Sequence, residues 1–126
     1  MKTNNFFKSA LGFVAVFALT LVSFKSANEG KPFGGLALYT VRDAMVKDAR
    51  ATLQAVAQAG YVNIESAGYI NGKFYNLTPT EFKALLDEMK LIPISAHQST
   101  VTFDNVDQQI ADVKAAGFKY FVVPIP

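Results

Sequence analysis

From residue 36 onward the chain alternates between two hydrophobic patterns. Short apolar runs of four to seven residues recur at 36–41, 62–66, 91–97 and 120–123. Between them lie longer stretches whose apolar positions return every three or four residues. The runs predict strands, the stretches amphipathic helices. Ala49, Leu53, Val56 and Ala57 form one helical stripe, opened by Asp48 as a cap and closed by Gly60. Thr78, Pro79, Thr80 and Glu81 spell a capping box with proline at the first helical position, and Phe82, Leu85, Leu86 and Met89 then share a face. Asp104 is expected to open a third helix carrying Val106, Ile110 and Val113, with Gly117 closing it. Pro93 cannot donate to a ladder, so it is expected near the start of its strand. Alternation there sets Ile92, Ile94 and Ala96 against Pro93, Ser95 and His97, and in the run before it Val62 and Ile64 against Asn63 and Glu65.

Strands starting near 36, 62, 92 and 120, with one helix in each gap, are successive βα units of a parallel sheet. Right-handed crossovers put the helices on one side if the sheet curls into a barrel, and on both sides if it stays open. A closed barrel takes eight units in about 250 residues. The pattern here supplies three units and a fourth strand.

The first 27 residues follow another rule. Lys2 and Lys8 precede 16 uncharged, mostly apolar residues at 9–24, which Lys25 ends. This is the layout of a secretory signal. As a helix the run would reach about 24 Å, short of a hydrocarbon core of about 30 Å. Export to a periplasmic or extracellular location is therefore expected, with a membrane anchor as the competing reading. Ala27 is the candidate cut, although Lys25 then sits where a small residue is preferred. Residues 28–35 read as a polar Gly/Pro-rich linker, leaving 36–126 as the folded part.

Composition narrows the function classes. At 51% hydrophobic, the 126 residues suit one ordinary domain and not a mostly disordered chain. A formal charge of +2 with no basic stripe gives no reason to expect a nucleic-acid partner. The absence of cysteine excludes disulfides, thiolate zinc sites and a Cys nucleophile. Gly34 and Gly35 precede a strand instead of following one, so they form no phosphate or dinucleotide loop.

The stretch from Leu36 through Tyr39, Thr40, Val41, Arg42, Asp43, Ala44 and Met45 resembles the first strand and loop of sugar phosphate isomerase/epimerase-like proteins, members of the xylose isomerase-like barrel superfamily. The resemblance continues through 60–69 and 71–75, resumes at Ile94, Ser95, Ala96 and His97, and returns at 114–120. It implies an incomplete (β/α)8 TIM barrel, three βα units plus a fourth parallel strand, with its site at the C-terminal strand ends. It also implies a small-molecule sugar substrate and, for the complete fold, a divalent metal (Mn, Zn, Co or Mg). That metal would polarise a carbonyl or hydroxyl while carboxylates move a proton on the adjacent carbon. Most of the metal ligands in such isomerases come from strands later than the fourth, so this chain alone is not expected to bind the metal or turn over substrate.

Within that scaffold His97, the only histidine, ends the third strand and would point inward, where it could contact a sugar hydroxyl or ligate metal. Glu65 ends the second strand facing the same way. A carboxylate in a barrel interior is costly unless paired or bound, which marks Glu65 either as substrate-binding or as the partner of a cation such as Arg42. Arg42 could equally hold a substrate oxygen. Tyr39, Tyr69, Phe74 and Tyr75 could line a sugar site or simply pack, and Asp43, Asp48 and Asp104 are explained as caps. The leading expectation is an exported sugar isomerase or epimerase scaffold. Its alternatives are an endonuclease-type member of the superfamily, which one histidine disfavours, and a non-catalytic carbohydrate- or partner-binding chain. Open sheet edges would let the chain self-associate.

Overall fold

The computed structural model describes residues 33–124, so the leader reading of 1–27 lies outside the described residues. Strand β1 (Phe33–Ala37) leads through a 3-10 turn (Leu38–Val41) into helices α1 (Arg42–Lys47) and α2 (Ala49–Gln58). Then follow β2 (Tyr61–Ser66), a hairpin of β3 (Tyr69–Ile70) and β4 (Lys73–Phe74), α3 (Pro79–Glu88), β5 (Ile92–His97), α4 (Val106–Ala115) and β6 (Tyr120–Val122). No helix among the described residues is long and apolar enough to cross a membrane.

Two of the predicted helices keep their signals. Asp48 Oδ1 accepts from the Ala51 amide at 2.9 Å, capping α2. The Thr78 hydroxyl accepts from Glu81 N while Glu81 Oε2 accepts from Thr78 N at 2.8 Å, so the capping box of α3 is complete. Helix α4 departs from expectation. Asp104 is exposed and caps nothing, and Asn105 takes the N-cap position without bonding into the helix. Its side chain instead accepts from Thr102 N at 2.8 Å and donates to Thr100 O at 2.9 Å, closing the preceding loop. The buried face runs through Gln109, Val113 and Ala116, leaving Ile110 40% exposed.

Strand β1 also shifts. The apolar run divides, with Leu36 and Ala37 ending the strand and Leu38 buried in the following turn. Phe33, Gly34 and Gly35 of the expected linker belong to the strand, and Phe33 and Gly35 pair with Tyr61 and Asn63. A ladder uses backbone groups alone, so glycine composition did not prevent it. The loop at 67–77 hides the small hairpin, turned by Asn71 (φ 50°) and Gly72 (φ 78°), a pairing suited to a two-residue turn.

The main sheet is parallel with order β1-β2-β5-β6, so its strands lie side by side in chain order. With no reversal of order, right-handed crossovers place every helix on one face. A single core bears this out, holding Met45 of α1, Leu53 and Val56 of α2, Phe82, Leu85 and Leu86 of α3, and Val113 of α4 around Ile64 and Ala96 of the sheet. A doubly wound sheet would need a core on each face. The architecture is thus an arc of a parallel β/α barrel, unclosed among the described residues. Phe74 anchors the core, 5.3 Å from Phe82 and 5.6 Å from Phe118 between ring centres. That burial removes Phe74 from the residues able to stack on a ligand.

Candidate functional site

The face of the sheet away from the helices is where the sequence concentrated its polar strand positions. Ile64 and Ser66 are buried toward the helices, which leaves Asn63 and Glu65 on the other side of β2. In β5 the expected alternation fails near its start. Asn63 pairs with Ile92 and Ile64 with Pro93, then the register slips so that Glu65 pairs with Ser95 and Ser66 with Ala96. Partners in register share a face, so Ile92 joins Asn63 on the open side, where it is 43% exposed. Pro93 turns to the helices, its Cγ 3.4 Å from where a Cβ on Gly117 would stand. Ile94 is the extra residue of this bulge. Beyond it Ser95 and His97 face the open side as the sequence predicts.

The bulge aims three side chains from two neighbouring strands at one place. Ser95 Oγ donates to Glu65 Oε2 at 2.8 Å, and His97 Nδ1 lies 3.8 Å from Glu65 Oε1. Both the Glu65 and His97 side chains are about one-third exposed, at 35% and 38%. The carboxylate therefore has a fixed orientation and a free approach. It borders a groove of about 450 Å³ with Gly35, Ala37, Asn63, Ile94 and Ser95, in which the small residues of β1 leave the space. Such a cluster can accept and donate hydrogen bonds to a hydroxylated ligand. Ser95 was not singled out from sequence, although its place on the His97 face was the available signal.

The other predicted residues divide. Arg42 is not the partner of Glu65. Its Nη1 donates to Tyr39 O at 3.1 Å, its guanidinium covers the Tyr39 ring at 4.6 Å, and its Nε is 3.9 Å from Asp43. Arg42 and Tyr39 line a separate cleft of about 560 Å³ against the 67–76 loop, close to the same strand ends. Tyr69 turns toward α4. Its hydroxyl donates to Asp112 Oδ2 at 2.5 Å and its ring meets Phe74 edge-on at 5.0 Å. Burial first, then the bond to Asp112, pushes the Tyr69 phenol up to about 12. Tyr75 is also shifted up by burial, and its hydroxyl accepts from Ala67 N at 3.2 Å.

A divalent metal fits this part of the chain poorly. Among the described residues no three His, Cys, Asp or Glu side chains are grouped to hold one. Glu65 and His97 offer two donors, where a transition-metal site needs three or more from the protein. Another cleft, of about 570 Å³, lies between the α1–α2 segment and α3. Its prominent charges already satisfy each other, with Arg50 Nη1 at 2.5 Å from Glu88 Oε1.

Solved structures share this fold, among them two with the following likeness. Both are crystal structures described as sugar phosphate isomerase/epimerases from Parabacteroides distasonis, and both are 24% identical to this chain. One superposes with a TM-score of 0.63 over 76% of this chain, the other with 0.57 over 79%. The chain spans about two-fifths of their length, 42% and 41%. No protein-family model matches the sequence, and no curated protein is similar to it.

Proposed function

We propose that residues 33–124 form the sugar-contacting first half of an isomerase- or epimerase-type β/α barrel. The observation that carries this reading is the convergence of Glu65, Ser95 and His97 at the C-terminal ends of adjacent parallel strands. In parallel β/α barrels that end of the strands is where chemistry sits. Glu65 would accept hydroxyl protons of the sugar, with Ser95 fixing its second oxygen, and His97 would add a ring nitrogen to the same ligand. The likeness to the two Parabacteroides distasonis structures supports the scaffold. A metal ligated by His97 and Glu65 would draw its remaining ligands from outside the described residues.

Titration of the full chain with aldoses and ketoses, followed by amide NMR shifts, tests the assignment. Saturable shifts centred on Glu65, Ser95 and His97, lost in Glu65→Gln and His97→Gln, are expected. Binding unchanged in both variants would sink it. We also propose that the outer strands β1 and β6, each paired on one side only among the described residues, support self-association. Sedimentation at increasing concentration should show growing mass, and a constant monomer would refute this.

A further inference from the structure

One large aromatic side chain stands on the polar face of the sheet, in line with the Glu65 carboxylate. We propose that this residue, Tyr120, determines specificity by giving the closed ring form of a sugar an apolar platform. The inference rests on the sugar-contacting reading and adds to it the form of the ligand, a cyclic hemiacetal or glycoside in preference to an open chain.

The place of Tyr120 follows from register. Ala37 pairs with Glu65, Glu65 with Ser95, and Ser95 with Tyr120, so one row crosses all four strands. Partners in register share a face, and Glu65 and Ser95 define it as the open one. The phenylalanines nearby turn the other way. Phe121 is in register with buried Ala96 and packs against the helix-side core, and Phe118 is buried with Phe74 and Phe82. Two backbone bonds fix β6 at this level. Lys119 N donates to Ile94 O at 3.1 Å, and Gln98 N donates to Val122 O at 2.8 Å. The first of them uses the bulge residue, so the slip that brings Ser95 to Glu65 also brings Tyr120 beside Ser95.

Position distinguishes this tyrosine from others, more than exposure does. Tyr120 is 62% exposed and Tyr39 61%, but the Tyr39 ring is covered by the Arg42 guanidinium. Tyr69 bonds to Asp112, and Tyr75 packs against Phe82. Along the row the side chains are graded, with small Ala37 and Ser95 on either side of Glu65 and the one large ring at the end. Glu65 and Tyr120 stand two strand spacings apart, about 10 Å, with only the Ser95 side chain between them on that row. A single sugar ring laid over Ser95 spans this gap, its rim toward the carboxylate and a face toward the tyrosine. A pyranose carries its hydroxyls around the rim and axial C–H groups on its faces. Those C–H groups are slightly positive and meet the negative face of an aromatic ring. An open-chain sugar turns its C–H groups in all directions and presents no flat apolar face. The carboxylate alone does not separate the two forms, because both offer it hydroxyls. Tyr120 does.

The test titrates the full chain with methyl β-glucopyranoside, a locked ring, and with sorbitol, an open chain, both read by NMR. The pyranoside should bind about three- to tenfold tighter than sorbitol. Its axial protons should show nuclear Overhauser contacts to the Tyr120 ring, which are read on the unaltered chain and so remain decisive should a variant unfold. Tyr120→Phe should keep the preference, and Tyr120→Ala should abolish it; a merely structural tyrosine would make no contact with ligand protons. Equal affinity for the two ligands, or a ring preference that survives Tyr120→Ala, overturns the platform. If Glu65→Gln still abolishes binding in that case, the sugar reading stands without it. Contacts to Tyr120 with an affinity that ignores Glu65→Gln would keep the platform and reject the sugar reading at Glu65. Binding of neither ligand overturns both.

Discussion

The two faces of the sheet are built by opposite rules. The helix side is closed and apolar, with Phe74, Phe82, Leu53, Leu86 and Ile64 all fully buried in one cluster. The open side carries Asn63, Glu65, Ser95 and His97, all partly exposed, with Ser95 bonded to Glu65 and His97 beside the same carboxylate. Burying apolar area is the main favourable term in folding, so the helix side holds the chain together. The open side contributes little to that and keeps groups that would be costly to bury. A chain selected for stability alone would place apolar residues on both sides of a barrel strand.

Substitutions on the two faces should separate stability from binding. Phe82→Ala should have the largest effect, since its ring packs on Phe74 and Phe118, and a loss of about 3–5 kcal/mol is expected in urea unfolding. A loss below 1 kcal/mol would mean that the helix side is not the stabilising face. Gly68→Ala should cost about 1–3 kcal/mol, because the Tyr75 ring has nowhere to retreat without repacking. Native stability in this variant would show the 67–77 loop to be soft.

Tyr69→Phe probes the link between the hairpin and α4. Removing the bond to Asp112 should cost about 1–2 kcal/mol near neutral pH. The Tyr69 phenol is raised in the folded state to about 12 from 10.0, so folding favours its neutral form. That stabilisation is complete below the unfolded value and is lost as pH rises through the folded one. The gap between wild type and Tyr69→Phe should therefore narrow across this window, and a constant gap would refute the assignment. Thr78→Ala should lower stability by about 1 kcal/mol through the lost cap of α3. The smallest stability change, within about 0.5 kcal/mol, is expected for Glu65→Gln on the open face, together with loss of sugar binding. A large stability loss there would turn Glu65 into a structural residue.

Much of this was legible along the chain. The capping box at Thr78, the Asp48 cap and the stripe through Leu53 and Val56 are local, each decided within a turn or two of helix, and all three appear as read. The alternation that put Glu65 and His97 on one face also held beyond the bulge. Other features escaped because their causes lie elsewhere in the fold. Glycines entered β1 because β2 offered a ladder, and Gln109, not Ile110, lies on the buried face of α4, a choice made by packing against the rest of the fold. Arg42 faces Tyr39 and not Glu65 because the chain turns into a short helix immediately after β1.

The sequence by itself determined the parallel βα rhythm, most helix limits and the polarity of the open face, since these depend on near neighbours and on side-chain period. Only the tertiary structure decided that the strands run in unreversed order with all helices on one side. It alone set the register slip at Ile94, the joining of Ser95 to Glu65, and the separation of Arg42 and Tyr69 from that cluster. The register slip and the Ser95–Glu65 contact follow from pairing between segments 30 residues apart, which strand periodicity leaves free to slide by one residue.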